Sequence, residues 1–288
     1  LFAGVVLAPL ALAGPAFGQA DTLALGEAAP VDEDAGIRVP EGFDAQVFAD
    51  GIGRARHIAV RDNGDVYVQL RQARPEGATA ALRDEDGDGA ADRIEYFGEH
   101  AGTGIAIRDG FLYVSSDAAI YRYPLPEGDA LVPQSGPEVV VEGFPRQRSH
   151  ASKAFAFDDS GNLYVNVGAP SNACQETDRT RGSPGQEPCP LLEQHAGLWR
   201  FDADKTDQGF EDGERFVTGT RNIVALDWNP LAGELYFVMH GRDQLHELYP
   251  DLFTVEQSAE LPAEEFHVAR EGANYGWPYT YWDHQQGA

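Results

Sequence analysis

The sequence predicts an all-β fold, a six-bladed β-propeller of which about four blades are present, and three observations predict it. One hairpin pattern occurs four times, its spacing is that of a propeller blade, and no long amphipathic helical pattern competes with it. The four segments are HIAVRDNGDVYV from residue 57, GIAIRDGFLYV from 104, AFAFDDSGNLYVNV from 154 and ALDWNPLAGELYFV from 225. Each has an alternating apolar strand, a turn rich in Asp, Asn and Gly, and a second strand with an aromatic residue beside a small apolar one. Tyr67, Tyr113, Tyr164 and Tyr236 mark equivalent points, a mean period of about 56 residues. A β-sandwich also has short strands at regular spacing, but recurrence of one hairpin at blade-sized intervals favours the propeller.

In chain order, residues 1–20 (LFAGVVLAPLALAGPAFGQA) read as a secretory signal that begins part-way through and ends at a small-residue cleavage site. The alternative, a membrane span, is interrupted by Pro9 and Pro15. Residues 21–40 read as a linker and 41–288 as the propeller. AIYRYPL (119–125), GLWRFDA (197–203) and EEFHVAR (264–270) supply further strands. Six units at this period need about 336 residues, so the ring is expected to stop before it closes. Forty-seven acidic against twenty-one basic side chains give a net charge of −26. Such a field disfavours nucleic acid and anionic lipid as partners and suits cationic ones.

Residues 84–95 (DEDGDGAADRIE) match a calcium-loop pattern at every specified position. Asp84, Asp86 and Asp88 offer carboxylates, Gly89 allows the sharp turn, Ala90 offers its carbonyl, Asp92 binds directly or through water, and Glu95 closes the site. The flanks read as strands, so a bound ion would be structural; the alternative is a solvated acidic turn. Cys174 and Cys189, the only cysteines, are expected to form a disulfide worth roughly 3 kcal/mol. Zinc held by two thiols is the weaker alternative.

The residues flanking the hairpins lie opposite the turns, so in a propeller they gather at one mouth of the channel. Arg56 and His57, His100, Arg148 with His150 and Lys153, and Arg221 with Asn222 precede the first strands; GAPSN (168–172) and HGRD (240–243) follow the second. A basic cluster in so acidic a chain points to an anionic ligand, although a histidine beside a strand also serves simply as packing.

RSHASKAFAFDDSGNLYVNVG, AGLWRFDAD, GTRNIVALDWNP, HGRDQLHEL and EGANYGWP resemble the secreted, pyrroloquinoline quinone (PQQ)-dependent sugar dehydrogenases, over roughly residues 40–282. GAPSNAC and Cys189 place the resemblance nearer the sorbosone and pyranose branch than the glucose branch. The resemblance implies a six-bladed propeller with PQQ and Ca²⁺ at the mouth, a sugar substrate, a quinone or cytochrome as electron acceptor, and a periplasmic or secreted location. It implies His150 as general base, Arg221 as the stabiliser of charge on the quinone oxygen, and Asn222, Lys153 and Arg242 as cofactor contacts. The carbonyls of Gly241 and Arg242 would hold the catalytic calcium. Where the glucose enzymes have an Asp supporting the histidine this chain has Ala169, so His150 must be oriented by something else. The competing classes are a calcium-dependent propeller lactonase, which needs carboxylate and Asn ligands on the axis, and a non-catalytic binding propeller.

Overall fold

Alternating apolar residues and tight polar turns build four antiparallel sheets in sequence order, in the arrangement of consecutive propeller blades. The computed structural model describes residues 37–261 and 264–283. The expected signal segment and most of the linker lie outside the described residues. The sheets belong to a compact unit running Phe48–Ala288; residues 37–47 belong to a separate unit, Leu1–Val47, and carry a turn at Glu41 and Gly42.

The first sheet is a meander of β1 (Ala55–Val60), β2 (Val66–Arg74), β3 (Gly77–Arg83) and β4 (Arg93–Phe97). The second contains β5 (Ile105–Arg108), β6 (Phe111–Ser115), β7 (Ile120–Pro124) and β8 (Glu138–Glu142). The third contains β9 (Phe155–Phe157), β10 (Asn162–Val167), β11 (Gly197–Asp202) and β13 (Glu214–Thr218), and the connection before β13 lends β12 (Gln208–Gly209) to the second sheet as a parallel edge strand. The fourth is β14 (Ile223–Asn229), β15 (Glu234–Met239) and β16 (Glu265–Ala269), with the short helices α1 (Leu245–Leu248) and α2 (Val255–Glu260) between its last two strands. The three additional strands expected from the spacers are β7, β11 and β16.

The four marker tyrosines occupy one register position. Tyr67 lies opposite Ala59, Tyr113 opposite Ala106 and Tyr164 opposite Ala156, whereas Tyr236 lies opposite Asp227. A ring facing a methyl group leaves room for the neighbouring sheet to interdigitate, as close packing requires. Tyr67 accordingly packs with Ile105, Leu112 and Tyr123 of the second sheet, Tyr113 with Phe155, Leu163 and Trp199 of the third, and Tyr164 with Ile223, Leu235 and Phe237 of the fourth. On the fourth sheet the equivalent ring stacks on Phe266, whose side faces solvent.

Two residues beyond each of the first three tyrosines stands a buried polar side chain. Gln69 donates to the His100 carbonyl, Ser115 Oγ accepts from the Gly104 amide, and Asn166 accepts from the Ile223 amide while donating to the Ser152 carbonyl. These bonds tie each second strand to the loops at one end of the sheets. Antiparallel pairing puts the start of each first strand and the end of each second strand at that same end, which brings residues 148–154, 168–172, 219–222 and 240–243 to one mouth.

Leu163 is wholly buried between the second and third sheets. Leu163→Ala is expected to cost about 2–5 kcal/mol, measured as a lower urea midpoint with an unchanged slope.

Candidate functional site

His150 heads the loop into β9 in a left-handed backbone conformation, φ 54°, which costs a non-glycine residue of order 1–2 kcal/mol. The loop is held in this shape by Gln147, whose Nε2 lies 2.9 Å from the Ser149 carbonyl, 2.9 Å from the His150 carbonyl and 2.8 Å from that of Gly168. His150 Nδ1 is 2.5 Å from the carbonyl oxygen of Ala169. A carbonyl only accepts, so Nδ1 carries the proton and Nε2 presents a lone pair. The residue that lacks a carboxylate thus orients the imidazole through its backbone. Burial, and next the charge of Arg221, push His150 down to about 4, against the Ala169 bond, which favours protonation. The imidazole is neutral at neutral pH and able to accept a proton.

Gly168 allows the approach of the second group. A Cβ there would lie 2.8 Å from His150 Cβ and 2.9 Å from Asn222 Oδ1, too close for any side chain. Arg221 and Asn222 lead into β14, and the Ala169 amide donates to the Arg221 carbonyl at 2.7 Å. The Arg221 side chain is 3% exposed. Its Nε lies 3.2 Å from Asn172 Oδ1 and 3.3 Å from the Asn172 carbonyl, and its Nη2 is 3.3 Å from Asp243 Oδ2. That ionic contact lacks hydrogen-bond geometry, so Nη2 remains a buried donor without an acceptor, and Asn222 Oδ1 is a buried acceptor without a donor.

The Asn222 carbonyl takes the His240 amide, which sets HGRD beside Arg221. A cleft of about 310 Å³ opens here, with Arg221, Met239 and Gly241 in its floor, Leu245, Phe253 and Gln257 of the helical insertion on one wall, and Trp277, Tyr281 and Trp282 on the other. The Arg242 guanidinium lies 4.8 Å from the centre of the Tyr281 ring, a cation–π contact. His240 Nδ1 is 2.5 Å from Glu264 Oε2.

His150, Arg221, Asn222, Gly241 and Arg242 therefore come from three connections to one mouth. Of these, Arg221, Gly241 and Arg242 line the cleft, whereas His150 and Asn222 do not, and nor does Lys153. Lys153 is fully buried beneath the His150 loop, with Nζ 2.6 Å from the Ala151 carbonyl and 5.7 Å from the Phe144 ring centre. Burial lowers its pKa to about 8, and in this rotamer it supports the loop instead of reaching a ligand. His100, in the connection between β4 and β5, stacks on Tyr121 of β7 with ring centres 3.6 Å apart. Cys174 and Cys189 form the expected disulfide, with Cα atoms 6.2 Å apart, and pack with Ala169, Ala196 and Trp277.

The acidic loop lies at the other end of the first sheet, between β3 and β4. Carboxylate oxygens of Asp84, Asp86 and Asp88 converge within 4.8 Å, and Asp84 takes the amides of Gly87 and Gly89. Asp92 caps the Glu85 amide and Glu95 pairs with Arg93, so neither joins that cluster. The physical reason is the exit element. In a helix-loop-helix site the twelfth residue starts a helix that turns its carboxylate back, whereas Glu95 lies in β4 opposite Ala81.

Several residues that shape the site escaped the sequence reading. Gln147 carries no signal in a single sequence. Asn172 and Asp243 stood within GAPSN and HGRD, but nothing marked their side chains as partners of Arg221. Trp277 of NYGWP donates from Nε1 to the Asn172 carbonyl at 3.0 Å, so that motif supports Arg221 at one remove.

The TrAA12-like family matches residues 37–287. Two structures of the Trichoderma reesei enzyme of Carbohydrate-Active Enzymes family AA12 are 20% identical to the chain. The iodide structure has a TM-score of 0.65 and covers 83% of this chain and 59% of its own; the calcium structure has a TM-score of 0.63 and covers 83% and 60%. The holo PQQ domain of a Coprinopsis cinerea pyranose dehydrogenase is 16% identical, with a TM-score of 0.62, covering 84% and 58%. The chain thus spans less than two thirds of the length of each. None of the curated proteins matches the chain. Among the described residues no helix is long and apolar enough to cross a membrane.

As pH falls, the unfolded chain takes up a proton at histidine's ordinary 6.5 before folded His150 does at about 4, so the buried neutral imidazole destabilises the fold across that window. Urea unfolding at pH 7 and pH 4.5 should show a smaller acid loss for His150→Gln than for the unsubstituted chain.

Proposed function

The chain belongs to the TrAA12-like family, and on that footing we propose that it is an exported PQQ- and calcium-dependent dehydrogenase of sugars, of the pyranose or sorbosone type. The observation that carries this reading is the pair of orphaned polar atoms beside the imidazole. Arg221 Nη2 has the ionic contact with Asp243 but no hydrogen bond, Asn222 Oδ1 has no donor, and both are buried beside the His150 loop; buried polar groups without hydrogen-bond partners cost about 1–3 kcal/mol each. A ligand with anionic oxygens and hydrogen-bond donors would satisfy both, and PQQ carries carboxylates, a ring N–H and quinone oxygens. The relatives solved with calcium and in a PQQ holo form support the same choice. The disulfide fits export to an oxidising compartment.

When bound, PQQ would supply the two-electron acceptor for hydride leaving the sugar carbon. His150 Nε2 takes the hydroxyl proton from the same carbon, its lone pair kept available by the Nδ1–H bond to Ala169. Arg221 and Asn222 would hold the cofactor, supplying positive charge and an amide. The carbonyls of Gly241 and Arg242 suit an oxygen-seeking divalent ion, and a cleft walled by Trp and Tyr suits the apolar face of a pyranose. A quinone or cytochrome would take the electrons onward.

The lactonase reading draws no such support. Among the described residues the only cluster of three or more metal-binding side chains is Asp84, Asp86 and Asp88, on the opposite face. At the mouth, Asp243 is already paired with two arginines.

Reconstitution with PQQ and Ca²⁺ should give a bound quinone absorbance and sugar-dependent dye reduction. His150→Ala should lower kcat/KM by roughly 10²–10⁴ with cofactor uptake retained. No uptake of PQQ by the unsubstituted chain would remove this function.

We also propose a structural calcium at residues 84–88, supported by the three converging carboxylates. Ca²⁺ at a hundred times its Kd should raise stability by about 2.7 kcal/mol. Asp86→Asn combined with Asp88→Asn should abolish that rise, read as the thermal midpoint with and without chelator.

A further inference from the structure

The loop closed by Cys174–Cys189 reaches the mouth through a residue that the proposed reaction does not use. Arg179 stands in this loop with a left-handed backbone, φ 52°. Its Nη1 donates to Asp243 Oδ1 and, at 2.6 Å, to Gln244 Oε1, and its Nη2 lies 3.3 Å from Asp243 Oδ2. Asp243 Oδ2 is the same oxygen that faces Arg221 Nη2 at 3.3 Å. Gln244 is left-handed too, φ 58°. Strained non-glycine backbone persists only where its surroundings fix it, and here the guanidinium fork bridges two consecutive side chains.

One carboxylate thus serves two guanidinium groups. The better geometry belongs to Arg179, which makes hydrogen bonds to both carboxylate oxygens, while Arg221 has only the ionic contact. Without Arg179, Asp243 would be free to form a full ion pair with Arg221 and cancel the charge intended for an anionic ligand. Asp243 cannot simply move away. Asn172 Nδ2 donates to its carbonyl at 2.9 Å, and its own amide lies 3.3 Å from Asn172 Oδ1. Asp178 in turn fixes Asn172 by accepting the Asn172 amide and the Ser171 hydroxyl.

We infer that Arg179, carried by the disulfide-closed loop, is a positioning residue for Arg221 that acts by sharing the carboxylate of Asp243. The inference rests on the reading of the mouth as the site of an anionic cofactor. It gives the disulfide-closed loop a task beyond stability.

The test uses the full chain with Arg179→Gln, Asp243→Asn and the double variant. PQQ in the presence of Ca²⁺ is the probe, and its Kd by fluorescence quenching is the first readout. Arg179→Gln should weaken PQQ binding roughly fivefold, the scale of one partly exposed ion pair. Asp243→Asn should tighten it, and Arg179→Gln should have no further effect in that background. An equal effect of Arg179→Gln with and without the Asp243 carboxylate would reduce it to bulk charge and overturn the proposal. Arg179→Lys should restore most of the affinity.

The second readout needs no cofactor. Arg221, Arg179 and Asp243 are the charged groups facing His150, so the NMR titration midpoint of its imidazole should rise in Arg179→Gln and fall in Asp243→Asn. If the unsubstituted chain takes up no PQQ, the functional reading fails and this titration decides alone. A rise in Arg179→Gln that is lost when Asp243→Asn is also present then upholds the Arg179–Asp243–Arg221 relation, and a rise of equal size in both backgrounds, or no rise, overturns it. Should Arg179→Gln fail to fold, Asp243→Asn carries the test, and binding no tighter than that of the unsubstituted chain overturns the proposal.

Discussion

A guanidinium taken out of water is costly to bury, several kcal/mol even after relaxation, and the mouth of this protein is arranged around Arg221. Asn172 meets its Nε, Met239 Sδ accepts its backbone amide at 3.1 Å, and Asp243 faces its Nη2. Each partner is itself held. Trp277 fixes the Asn172 carbonyl, Asp178 its amide, and Arg179 the Asp243 carboxylate. The result is a charge that is positioned without being neutralised, which is the condition under which a buried cation attracts an anion strongly.

The sheets make this possible because their packing is repetitive at one end and permissive at the other. Tyr opposite Ala sets the distance between sheets, and the buried Gln69, Ser115 and Asn166 tie the strand ends to the connections. With the strand ends fixed, the loops can afford unfavourable backbone. Among the described residues, five of the seven non-glycine residues of positive φ, His150, Cys174, Arg179, Ala196 and Gln244, lie in connections at this mouth. Such local strain is sustained by the rigid scaffold beneath it.

The architecture was legible in the sequence because it is periodic. Four hairpins with a shared Tyr are a repeated signal, and the structure returns them as four sheets in register. The pattern holds more: YVQ, YVS and YVN end on the buried polar residue that ties each second strand to a connection at the mouth, and the fourth copy, YFV, lacks it. The site was legible only where a residue type was itself unusual. His150 and Arg221 stand out as charge-bearing groups before strands, whereas Asn172, Asp243 and Arg179 act through partners 49, 22 and 42 positions away from Arg221 in the chain, a relation that one sequence does not encode. Lys153 had the right chemistry and the wrong direction. A lysine three residues after His150 looked like a ligand contact, but the approach to β9 turns it inward, under the loop.

The replacement of a supporting carboxylate by the Ala169 carbonyl has a consequence of its own. A carboxylate would orient the imidazole and also stabilise its protonated form, raising its basicity. A carbonyl supplies the orientation with only a dipole behind it. Here the nearby full charges are two arginines, which oppose protonation, and Asp243, which favours it. The basicity of His150 is therefore set first by burial and next by the charge of Arg221, with Asp243 a smaller opposing contribution. An anionic ligand seated on Arg221 would offset that guanidinium and raise the proton affinity of the imidazole, so that orientation comes from the backbone and basicity would follow the charge seated beside it.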